Sequence, residues 1–204
     1  MKLFGNTARV KLMRLFLFNP DKTYTTNEIV NRAKITAREA KKELTTLNTF
    51  GIVRKRPVTR DVERKHGKKI IIKKIKDKGY ELDPKFPYLP ALKSLLIVAS
   101  VHADETLIKR FAKIGKLKLF IAAGLFLQQW DSRVDLLIVV DEINQTRLDK
   151  EITLLEAEIG KEISYSAFSL EDFEYRLGIH DRLIRDILDY QHVTLIDRLG
   201  LEPK

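Results

Sequence analysis

The 204-residue chain carries 38 Lys+Arg against 28 Asp+Glu, but the charge is unevenly placed: residues 1–90 hold 23 basic and 9 acidic side chains, and residues 91–204 hold 15 and 19. A net of +14 on the first half and −4 on the second points to a polyanionic partner. With no amphipathic lipid-facing segment beside that charge, the expected partner is nucleic acid and not membrane. The absence of cysteine excludes disulfides and thiolate chemistry, and no apolar run reaches the roughly 18 residues that a membrane helix needs. The N-terminus has neither an apolar h-region nor a cleavage site, so the chain is expected to be cytoplasmic.

In chain order, Asn6 or Thr7 caps a first expected helix running to about Phe18, with Val10, Met13 and Leu17 inward and Arg9, Lys11 and Arg14 outward; Asn19-Pro20 stops it. Thr25-x-x-Glu28 is a capping box that opens a second helix to Ala33, burying Ile29 and Val30. After the short turn Lys34-Ile35, Thr36 and Glu39 form another box for a third helix, ITAREAKKELTTLNTFG. Ile35, Ala40, Leu44 and Leu47 fall on its buried face. The other face carries Thr36, Ala37, Arg38, Lys41, Lys42, Thr45 and Thr46, short polar or cationic side chains able to reach base edges and phosphates.

Gly51 ends that helix, and IVRKRPVTR and KKIIIKKIK are expected to pair as strands around the tip DVERKHG. The hairpin region holds Arg54, Lys55, Arg56, Arg60, Arg64, Lys65, Lys68, Lys69, Lys73, Lys74, Lys76 and Lys78. A lysine-rich edge can serve only to block edge-to-edge aggregation. Beside a basic helix, this many cations suit contact with phosphates or the minor groove instead, and Arg60, Arg64, Lys65, Lys68 and Lys69 are the expected contacts. Three helices followed directly by a hairpin give the order of a winged helix-turn-helix, whose third helix enters the major groove.

The run from Leu3 to Arg56 resembles the winged-helix domain of ArsR-like bacterial and archaeal transcriptional regulators, over about the first 80 residues. The resemblance implies binding to double-stranded DNA as a two-fold homodimer. Metal-sensing members of that group use cysteine thiolates, and this chain has none, so no thiolate metal site is expected.

DKGYELDPKFPYLPALKSLL holds three of the six prolines, so Asp77 to Tyr88 reads as a linker into a helix from about Pro90 to Ala99, with a further amphipathic helix from Asp104 to Lys113. Beyond it, LKLFIAAGLFL reads as an apolar strand ending near Gly124, and RVDLLIVV (133–140) as a second. Asn144 to Ile159 reads as a helix burying Leu148, Ile152, Leu155 and Ile159, EISYSAF (162–168) as an alternating strand, and Ser169-x-x-Asp172 as the cap of another short helix. Continuous apolar strands flanked by helices imply an α/β layer with a covered sheet.

From about Leu117 to Leu199 this order resembles a minimal nucleotidyltransferase domain. In active members a Gly-Ser turn cradles a triphosphate and an Asp-x-Asp pair on the next strand holds Mg²⁺, with a third carboxylate on a later strand. At the matching positions stand Gly124-Leu125 and Arg133-Val134-Asp135, with Glu162 as the third carboxylate. An apolar side chain replaces the serine and a cation replaces one metal ligand. Arg133 would repel a dication, and is expected to pair with Asp135 or bind an anion. The expectation is therefore a non-catalytic domain without cofactor or metal. His66, His102, His180 and His192 are scattered without ligand spacing, Asp141-Glu142 suits a helix start, and Trp130 is expected to pack, or to stack on a ligand base.

The fold expected is α+β: a winged helix-turn-helix over residues 1–80, a linker and connecting helices over 81–116, and a nucleotidyltransferase-like α/β domain over 117–204. The expected function is that of a DNA-binding transcriptional regulator whose C-terminal domain senses a small molecule, dimerises or holds a protein partner. The alternatives are an active nucleotidyltransferase targeted by its winged helix, and an antitoxin-like interaction module.

Overall fold

The computed structural model describes residues 4–66, 69–98 and 105–201, and of residues 60–66, 69–73 and 75 it describes the backbone alone. The architecture is mixed α+β, with eight α-helices and two sheets among the described residues. None of those helices is long and apolar enough to cross a membrane. The chain forms two compact units, residues 1–97 with 157–161, and residues 98–156 with 162–204.

In the first unit α1 (Thr7–Phe18) starts at Asn6, whose side chain accepts from the Ala8 N–H at 2.7 Å. Leu12, Leu15 and Phe16 are buried along with Val10, Met13 and Leu17, so the helix is surrounded and has no fully solvated face. The expectation that Arg14 points outward is thereby corrected, since it is only 5% exposed. Its guanidinium donates to the carbonyls of Leu96 (3.0 Å) and Glu158 (2.9 Å), partners within the same unit. Burial lowers its pKa from the ordinary arginine value, with the charge of Glu158 opposing.

A two-residue strand, β1 (Tyr24–Thr25), leads into α2 (Thr26–Ala33), and Lys34 in the left-handed conformation turns the chain toward α3 (Ala37–Thr49). Both capping boxes, Thr25 with Glu28 and Thr36 with Glu39, are formed. β2 (Val53–His66) and β3 (Lys69–Leu82) pair antiparallel without a break from Val53↔Leu82 to His66↔Lys69, and β1 joins the other edge of β3, giving the order β1-β3-β2.

The hairpin therefore differs from expectation at both ends. The segment 61–66, expected as tip, is strand, and so is Asp77–Leu82, expected as linker. Charged residues alone do not stop a strand when each sits opposite a β-former or an opposite charge, and the register sets Glu63 across from Ile72 and Asp61 across from Lys74. After Leu82 the chain makes α4 (Leu89–Lys93), with Pro90 in its first turn, and then a wider π-helical turn over Ser94–Val98 in place of a continued α-helix.

In the second unit α5 (Glu105–Phe111) precedes β4 (Leu117–Ala122), and a 3₁₀ turn over Gly124–Leu127 occupies the end of the apolar run that reads as strand. β5 (Leu136–Val140) is buried along its whole length. α6 (Gln145–Ile159), whose last three residues belong to the first unit, buries Leu148, Ile152, Leu155 and Ile159 as its periodicity requires. β6 (Tyr165–Ser169) begins three residues later than expected and is half-buried throughout, without the alternation read from its sequence. α7 (Leu170–Gly178) is capped by Ser169, accepting from the Asp172 N–H. The chain then adds α8 (Arg182–Asp189) and β7 (Val193–Asp197), two elements not read from the sequence. The sheet order is β6-β5-β4-β7; β6 runs parallel to β5 and the other neighbours are antiparallel. Its core joins Leu119, Ile121, Leu137 and Val139 to Phe173, Ile184 and Ile187 from α7 and α8.

Candidate functional site

The exposed face of α3 presents Ala37, Arg38, Lys41, Lys42 and Thr45. Its opposite face is fixed, with Ala40, Leu44 and Leu47 each 0% exposed. A feature missed by sequence reading completes the anchor, because Glu43 is also buried. Its carboxylate accepts from Arg9 Nε at 2.7 Å and from Asn6 Nδ2 at 3.1 Å. Since Asn6 also caps α1, one carboxylate ties the start of α1 to the middle of α3. The signal available in the sequence was a glutamate between Ala40 and Leu44 on the apolar side of the helix.

Not every polar side chain assigned to this face is free to contact a ligand. The Thr36 hydroxyl donates to Glu39 Oε2 at 2.7 Å and accepts from the Glu39 N–H, so it is committed to the cap. The Thr36 backbone N–H, then its hydroxyl, hold the Glu39 carboxyl below the usual carboxylate range against the opposing cost of desolvation. Thr45 and Thr46 donate to the carbonyls of Lys41 (2.9 Å) and Lys42 (3.1 Å), so their hydroxyl protons are committed to the helix and their oxygens can serve a ligand only as acceptors.

The hairpin cations divide by strand face. On one face Glu81, 8% exposed, accepts from Thr23 (2.9 Å), from Arg54 (2.7 Å) and from Arg56 (3.0 Å). Burial alone would raise the Glu81 pKa, but these hydrogen bonds and the Arg56 charge outweigh it and the net shift is downward. Arg54 and Arg56 are therefore clamps at the hairpin base. The opposite face buries Val53 and Leu82 at the base. Farther out, the strand alternation and the register place Lys55, Lys74, Lys76 and Lys78 on that same face, all exposed. Of the five expected contacts in this region, Lys68 lies outside the described residues, and so do the side chains of Arg60, Arg64, Lys65 and Lys69.

In the second unit three of the residues compared with a nucleotidyltransferase site, Gly124, Leu125 and Asp135, come together around a carboxylate used by the backbone. Asp135 Oδ1 accepts from the buried Leu125 N–H at 2.7 Å, and Oδ2 accepts from the Ser164 N–H at 2.9 Å. Gly124 has a left-handed φ of +49°, and a Cβ there would run into Asp135 Oδ1. Asp135 thus staples the turn after β4 to the segment before β6. Arg133 does not pair with Asp135. Its Nε lies 2.9 Å from Asp186 on α8, a partner that sequence reading missed together with the helix that carries it. Glu162 is exposed in the irregular segment before β6. Among the described residues no group of three or more His, Cys, Asp or Glu side chains is arranged to hold a metal ion.

Compared with protein-family models, curated proteins and solved structures, the chain matches none.

Proposed function

We propose that the protein is a DNA-binding transcriptional regulator in which residues 1–80 act as a winged helix-turn-helix. That part lies within the first unit, residues 1–97 with 157–161, and the second unit, residues 98–156 with 162–204, is read as nucleotidyltransferase-like and non-catalytic. The observation that carries the reading is the pairing of two basic surfaces. The α3 face with Arg38, Lys41 and Lys42 is exposed over a fully buried apolar back, and the hairpin face with Lys55, Lys74, Lys76 and Lys78 continues the side of the sheet that buries Val53 and Leu82. A rigid helix with short cationic side chains suits base edges in the major groove, and an extended lysine row suits phosphates.

Asp135 supports the non-catalytic half of the reading. With both its oxygens satisfied by backbone N–H groups, Leu125 in place of a serine and Arg133 drawn to Asp186, the unit is read as a regulatory one that serves ligand sensing or dimerisation. Binding as a homodimer would make the target site two-fold symmetric.

The test is titration of the intact chain with fluorescent duplex DNA across a salt series. The intact chain is required because Arg14 donates hydrogen bonds to the carbonyls of Leu96 and Glu158, one in each of the two segments that make up its unit. Affinity is expected to fall with salt at a log-log slope of about −0.9 per phosphate neutralised. Absence of binding at low salt would overturn the reading.

A further inference from the structure

Beside the Asp135 turn, the second unit holds a cavity of about 660 Å³ to which Trp130, Arg133, Arg182, Asp186 and Tyr190 all contribute. Trp130 is 54% exposed and Tyr190 is 72% exposed. Both aromatic residues keep more than half of their surface exposed at one cavity, an area that a flat partner can cover.

The charged groups narrow the partner. Arg133 Nε lies 2.9 Å from Asp186 Oδ2, and Arg182 Nε lies 3.9 Å from the same oxygen. Two guanidinium forks share one carboxylate, which cannot satisfy the donors of both. The Arg182 side chain, 83% exposed, keeps most of its donors directed to solvent at the cavity. Asp131 is the remaining charged side chain of the lining, so the cavity is neutral overall and a polyanion gains nothing there from net charge. A single anionic group beside a ring satisfies the arginine corner and the aromatic walls together. Gln129 and Gln191, joined by an amide hydrogen bond, add donors and acceptors at the rim for a heteroaromatic edge.

We infer that this cavity is a metal-independent binding site for a planar aromatic ring carrying one anionic group, the chemistry shared by nucleoside monophosphates and aromatic carboxylates. The inference deepens the sensing role proposed above. Its readout requires no DNA, so failure of this site and failure of DNA binding are separate results.

Trp130 is the single tryptophan of the chain, so intrinsic fluorescence reports on this cavity directly. The intact protein in EDTA is titrated with AMP and with nicotinate, with adenosine and inorganic phosphate as the ring-only and anion-only probes, and equilibrium dialysis checks the stoichiometry. Saturable quenching at one site per chain is expected from AMP, from nicotinate or from both, which identifies the source of the anion. The same ligand should bind about tenfold or more weakly to the Arg182→Gln and Tyr190→Ala variants, each altering an exposed side chain that the fold does not need. The inference is overturned if neither AMP nor nicotinate saturates, if adenosine or phosphate alone binds as tightly, if binding appears only with added Mg²⁺, or if both variants keep the parent affinity.

Discussion

Replacing Asp135 with alanine separates a structural carboxylate from a metal ligand. In the structure this side chain is 9% exposed and satisfies the N–H groups of Leu125 and Ser164 at 2.7 and 2.9 Å. Removing it orphans two backbone donors, one of them fully buried, at about 1–3 kcal/mol each, and a water admitted to the gap recovers part of the loss. The second unit should therefore lose about 2–4 kcal/mol. Asp135→Asn should fall between the parent and the alanine variant, because its amide oxygen replaces one acceptor while its NH₂ faces the second N–H. Denaturant melts followed by far-UV circular dichroism and by Trp130 fluorescence measure both changes. Mg²⁺ should leave the parent midpoint where it is. The reasoning is refuted if Asp135→Ala unfolds at the parent's midpoint while Mg²⁺ stabilises the parent and not the variant, since that combination would place the carboxylate on a metal ion.

Two further outcomes follow from the first unit. Glu43→Gln should cost about 2 kcal/mol in denaturant melts, because the buried acceptor of Arg9 and Asn6 loses its charge. Glu43→Ala should also lower DNA affinity through loss of the α3 position, and an unchanged melting midpoint in both variants would contradict the anchoring role. The Glu81 carboxyl has a folded pKa below its unfolded one, so its contribution is complete above the ordinary carboxylate range and is lost as pH falls through the depressed folded value. Acid titration of stability should show that loss in the parent, and Glu81→Gln should flatten it; equal acid sensitivity in the two proteins would remove Glu81 from the account.

How much was legible depended on whether a residue's role is local. Both capping boxes, the buried line Ala40, Leu44 and Leu47, and the face of α6 follow from spacing within one helix, and the structure contains them. What spacing could not show was which polar side chains are spoken for by distant segments. Arg14 looks like a solvated cation until the surrounding apolar residues force it inside, and Glu43, Arg54 and Arg56 look like surface charges until Arg9 and Glu81 meet them across tens of residues.

Asp135 is the sharpest case. An aspartate at the head of the apolar run DLLIVV is compatible with a metal ligand or with a backbone staple, and only the positions of Leu125 and Ser164 distinguish them. The pattern of α8 was present in the sequence, with Leu183, Ile184, Ile187 and Leu188 at helical spacing. That helix, in turn, supplies Asp186, the partner of Arg133.

Whether α3 reads bases while the hairpin lysines hold phosphates is decided by measuring discrimination and not affinity alone. Duplexes selected from random DNA by the intact chain are titrated beside scrambled duplexes, using the parent, an Arg38→Ala/Lys42→Ala variant and a Lys74→Ala/Lys76→Ala variant. All four positions are exposed, so the fold is not at issue. The helix variant should lose about 1–3 kcal/mol of its preference for the selected duplex. The hairpin variant should weaken on both duplexes alike, with a salt slope shallower by about one per lost phosphate contact. Loss of discrimination in the hairpin variant with its retention in the helix variant would contradict the assignment.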